Sequence, residues 1–69
     1  MKERIKLIKQ AIKNKTLKVI EYSTKTTVSA EGVLIGESTN TLDAIAWAGN
    51  GVPEVCEWVL DWAIWEKGE

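Results

Sequence analysis

Two sets of charged residues recur at helical spacing in this chain, and a third set supplies aromatic surface. Lys2, Lys6, Lys9 and Lys13 fall on one ridge of a helix, spacing positive charge along about 17 Å, a length that can follow a phosphate backbone. Glu54, Glu57 and Asp61 fall within an arc of roughly 60° when read at 100° per residue. Three carboxylates on one face can gather a hard cation, favour a basic partner, or simply keep that face in water. Trp58, Trp62 and Trp65 follow one another at i, i+4 and i+7, sharing one side of the same segment with Val55. Trp is over-represented among the side chains on which protein interfaces depend, and this spacing suits apolar anchors on a helix.

The residues that catalysis most often uses are scarce. There is no His, so no Ser-His-Asp or Cys-His arrangement and no imidazole base can be assembled. Cys56 sits among apolar residues, where a thiol packs and does not react. With one Cys and no His, an internal disulfide and an ordinary zinc set are both out of reach. The stretch GVLIGES has two glycines before a Ser but lacks the Lys and the spacing of a phosphate-binding loop. No enzyme and no cofactor is expected.

A chain of 69 residues, 45% apolar and 28% charged, is one small globular domain. At this length only about 60% of the unfolded surface is buried, so self-association is the remaining support once disulfides and metals are set aside. The three Trp side chains would present roughly 450 to 750 Å² at ~150 to 250 Å² each. Monomers seldom leave so much apolar surface in water, so this face packs on the chain's own sheet or on a partner. The net charge of −1 conceals a bipolar chain. Residues 1–25 hold eight of the nine basic residues against Glu3 and Glu21, a net of +6, and residues 26–69 hold Lys67 against eight acids, a net of −7. Such asymmetry implies an anionic partner for the first half or attraction between the halves, within or between protomers. No signal-peptide pattern and no run of about 18 apolar residues is present, so a reducing cytoplasm without membrane contact is the expected setting, and Asn14-Lys15-Thr16 is a chance match to a glycosylation sequon.

The elements follow from periodicity. Lys2 to Lys15 is an amphipathic helix with Ile5, Leu7, Ile8, Ala11 and Ile12 on one face. Lys2 and Arg4 oppose the dipole of its first turn, which hints at another use for them. Thr16 to Tyr22 alternates as a strand. Turns at Thr24-Lys25 and Glu31-Gly32 would put Leu17, Val19, Glu21, Val28, Ala30, Val33 and Ile35 on one face, apolar except at Glu21. Asn40 reads as an N-cap for a short helix ending at Ala48, Gly49-Asn50-Gly51 stops it, and Pro53 opens the last helix, which runs on to Trp65.

These readings give a single α+β domain over residues 1–69: an antiparallel three-stranded β-meander packed against N-terminal and C-terminal helices, in the order α-β-β-β-α-α. The expected function is a small non-enzymatic regulator or inhibitor module that binds a protein partner and self-associates as a homo-oligomer. Trp58, Trp62 and Trp65 are its anchors and Glu54, Glu57 and Asp61 its charged rim. The alternative is nucleic-acid association through Lys2, Lys6, Lys9 and Lys13, although no aromatic interleaves that ridge in the sequence. A ligand-sequestering oligomer, with Trp rings stacking on a planar molecule, is third.

Overall fold

A computed structural model of the chain describes residues 2–68. The elements are α1 (Lys2–Asn14), β1 (Lys18–Glu21), β2 (Thr26–Ala30), β3 (Val33–Ser38), α2 (Thr41–Ala48), α3 (Pro53–Trp62) and β4 (Ile64–Lys67). Helix α1 buries Ile8 and Ala11, the middle of its apolar face. It stops without a glycine. Lys15 takes a left-handed conformation (φ 60°), Lys15 N donates to Ile12 O (3.3 Å) and Thr16 N to Ala11 O (2.8 Å), the bond pair that closes many helix ends.

The two hairpins differ in how closely they follow expectation. Tyr22 N donates to Lys25 O (2.8 Å), so the first loop is Ser23-Thr24, one residue earlier than Thr24-Lys25. Moving a two-residue loop by one residue shifts the pairing by two, and every side chain keeps its face. Val19 accordingly lies opposite Val28, and Glu21 opposite Thr26. The second loop is Glu31-Gly32, with positive φ at both residues (52° and 78°), as the right-handed twist of a tight hairpin requires. Glu31 is held there by its own carboxylate, which accepts from Asn14 Nδ2 and Thr16 Oγ1 (2.6 Å each), while Glu31 N donates to Thr16 Oγ1 (3.2 Å). The end of α1 is thereby fastened to the tip of the β2–β3 hairpin.

The sheet has four strands in the order β3-β2-β1-β4, not three. Beyond the antiparallel meander, β4 pairs with β1 in parallel, with Lys18 opposite Ile64 and Val19 opposite Trp65. The expected all-antiparallel sheet is therefore mixed, and the expected last helix stops three residues short of Trp65. Ala63 leaves helical geometry (ψ 147°), and Ile64 N donates to Leu17 O (2.8 Å), beginning the new ladder. Four residues of tail gain strand pairing along β1, an outcome that helical periodicity in IWEK could not reveal.

Leu17, Val19, Val28, Ala30 and Ile35 of the sheet layer meet side chains of all three helices in one apolar core. A bulge in the β2–β3 ladder leaves both Ile35 and Gly36 buried. At Gly36 the backbone of α2 comes so close that a Cβ would overlap Ala44 O and stand 2.9 Å from Ala48 N. Helix α2 begins at Asn40, whose Oδ1 accepts from Asp43 N (3.2 Å), an N-cap at the expected residue. Glu21, the one charge on the apolar face, sits at its end. Thr41 Oγ1 donates to Glu21 Oε2 (3.3 Å) and so receives its own bond (2.8 Å) from the buried Thr26 hydroxyl, while Lys67 Nζ lies 3.9 Å from Glu21 Oε1. The opposite face carries Lys18, Ile20, Tyr22, Thr27 and Ser29, with cross-strand ion pairs Lys25–Glu37 (2.8 Å) and Lys18–Glu66 (3.9 Å).

Candidate interaction surface

Helix α3 buries Val55 and Val59, one turn apart, and its two flanks face different neighbours. On one flank the Cys56 thiol points at Ile45 O of α2 (3.7 Å). On the other, Lys9 Nζ of α1 stands 5.5 Å from the centroid of the Trp58 ring, within cation–π range. Two neighbours from its own chain thus cover part of the wide apolar sector of this helix, and Leu60 and Trp62 remain exposed. Trp58 is half-buried between α1 and α3, whereas Trp62, one turn on, is 63% exposed.

Trp65 does not belong with them on a helix. It lies on β4, opposite Val19 and on the helix-bearing side of the sheet, and is 43% exposed. The expected stripe of three anchors is therefore two helical residues and one strand residue. The acids Glu54, Glu57 and Asp61 are all exposed, as are Lys2, Lys6, Lys9 and Lys13. Because Lys9 touches Trp58, the lysine ridge runs beside the Trp58–Trp62 strip, and Glu54 and Asp61 come next around α3. No aromatic interleaves the basic ridge in the sequence, but Trp58 of α3 borders it at Lys9, because α1 and α3 meet only in the folded chain.

The outer surface of the helix layer thus carries exposed lysines on α1 and exposed carboxylates on α3, with Trp58 at the Lys9 contact between the two helices. The ion pairs among the described residues are Lys18–Glu66, Lys25–Glu37 and Lys67–Glu21, none of which joins α1 to α3. The bipolar charge noted in the sequence is therefore not neutralised by contacts between these two helices.

A shallow groove of about 150 Å³ lies on the other side of the layer, lined by Arg4, Leu34, Ile35, Gly36, Glu37 and Trp47. Sequence reasoning missed the exposure of Trp47 (63%), having assigned it only to a short helix. Both charged side chains of the groove already have partners. Arg4 Nη1 donates to Ile35 O (3.1 Å), Trp47 O (3.0 Å) and Ala48 O (3.4 Å), and Glu37 is paired with Lys25. Hydrogen bonding to Glu37, then its charge, raises the Lys25 pKa above the usual 10.5. Among the described residues no group of three or more His, Cys, Asp or Glu is placed to hold a metal ion, and no helix is long and apolar enough to cross a membrane. Comparison with protein-family models, curated proteins and solved structures finds no match.

Proposed function

We propose that the chain is a non-enzymatic interaction module, a regulator or inhibitor that acts by covering a protein surface with its α1–α3 face. The observation that carries this reading is the Trp58–Trp62 strip lying between two ridges of opposite charge that are not paired with each other. An apolar centre with a polar rim is the usual anatomy of an interface, and Trp is its commonest anchor. Trp65 extends the apolar surface onto β4. The test is affinity capture from nuclease-treated lysate with the wild-type chain and with Trp62→Ser. A protein retained by the first and lost by the second supports the reading, whereas equal capture by both counts against it.

Nucleic-acid association is the second reading, favoured by Lys2, Lys6 and Lys13, which are exposed and absent from the ion pairs among the described residues. An indole beside a basic ridge also suits stacking of an unpaired base. Fluorescence anisotropy of labelled single- and double-stranded oligonucleotides, titrated across salt, measures it. Binding that weakens steeply with salt and is lost in the Lys2→Gln, Lys6→Gln, Lys13→Gln triple variant would establish it.

A further inference from the structure

The surface just described is complementary to itself. Exposed lysines of α1 and exposed carboxylates of α3 flank the valley where Lys9 meets Trp58, and the exposed Trp62 follows one turn further along α3. A second copy turned by 180° about an axis along that valley sets α1 of each protomer over α3 of the other. Lysines then face carboxylates twice, and the indoles meet on the axis. A two-fold axis crossing the helices would instead stack lysines on lysines, so charge selects between the two arrangements. We infer that the partner of the α1–α3 face is a second copy of this chain, bound by this lengthwise two-fold axis.

The inference rests on the interaction-surface reading above and names its occupant. Two-fold interfaces are isologous, so each contact is made twice and a modest patch is doubled. Two helices about 10 Å wide and roughly 15 Å long present a footprint of about 300 Å² per protomer, well under the ~800 Å² per partner of a standard interface. The dimer is accordingly a weak one that forms and separates with concentration. Its charged rim is exposed, so salt weakens it: the screening length falls from about 10 Å at 0.1 M to about 3 Å at 1 M.

The experiment is sedimentation equilibrium on the full chain and two charge-reversed variants, with folding checked by circular dichroism. One variant carries Lys6→Glu and Lys13→Glu, the other Glu57→Lys and Asp61→Lys. All four positions are exposed, so neither pair should unfold the chain. Wild type is expected to dimerise, at least tenfold more weakly at 1 M salt than at 0.1 M. Each variant alone should be monomeric because like charges face each other across the axis, and an equimolar mixture of the two should dimerise again. A monomeric wild type overturns the inference, and capture through Trp62 then decides the broader reading separately. A dimer indifferent to both reversals, or a mixture that stays monomeric, also overturns it. If that dimer is lost with Trp65→Pro instead, the seam lies on the open edge of β4.

Discussion

The last turn of α2 contains no basic side chain of its own, and Arg4 of α1 supplies one from a distant part of the chain. Its Nη1 meets two of the terminal carbonyls of α2 and Ile35 O of β3. Such carbonyls lack helical partners and carry the negative end of the dipole. Arg4→Met should therefore lower unfolding stability by about 1–3 kcal/mol in urea titrations, and Arg4→Lys should recover only part of the loss, because its side chain is one bond shorter and must bring its nitrogen to the same three carbonyls. Lys15 poses the opposite case. A side chain there occupies left-handed backbone at the end of α1, so Lys15→Gly should stabilise the protein by about 0.5–1 kcal/mol in the same assay. Lys25 adds a pH dependence of known sign. Its pKa is raised in the folded state, so the hairpin contribution of Lys25–Glu37 is complete below the unfolded value of 10.5 and disappears as pH rises through the folded one. The difference in urea midpoint between wild type and Lys25→Met should hold from neutral to mildly alkaline pH and shrink only above that range. At this scale the sequence showed that Arg4 was out of place in a first helical turn; it could not show which carbonyls it would meet.

Elements are joined at points where one backbone rests on another. Helix α2 lies directly on Gly36, so Gly36→Ala must push Ala44 and Ala48 away from β3, and a loss of about 1–3 kcal/mol is expected in thermal or urea unfolding. The two sides of α3 respond differently to truncation. Val59 is fully buried, and Val59→Ala should cost about 1.5–3 kcal/mol, whereas Trp62→Ser should stay folded with a change of about 0.5 kcal/mol or less. That contrast makes Trp62 a usable probe of binding, since its loss is not a loss of fold. The helices and strands of the first 62 residues were legible to within a residue or two, because apolar spacing, the Asn40 cap and Pro53 all agree, although β1 is shorter than Thr16 to Tyr22 and the first loop lies one residue earlier. The helix-to-strand change at Ala63 was not, because Trp65 continues the helical stripe as well as it begins a strand. Pairing with β1 decides between them, and β1 lies more than forty residues away.

For the whole molecule, the question is what a chain this small does with two halves of opposite charge. The ion pairs among the described residues each join the first 25 residues to the rest of the chain, through the sheet and its loops, yet none links α1 to α3, which carry the two charged ridges. The lysines of α1 and the acids of α3 are all exposed, which leaves each set available to a neighbour. Association through these ridges, and its weakening by salt, is the behaviour expected of the intact chain.

Composition and periodicity alone determined an α+β chain with an amphipathic basic first helix, two tight hairpins and an acidic Trp-bearing last helix. Those features are local: a turn, a cap or a face of one helix is specified by residues a few positions apart. The parallel β1–β4 pairing, the role of Arg4 and the placement of Trp58 against Lys9 depend on residues far apart in the chain. Tertiary structure decided these, because their energies arise only when the core of Val19, Val28, Val55 and Val59 has brought the distant segments together.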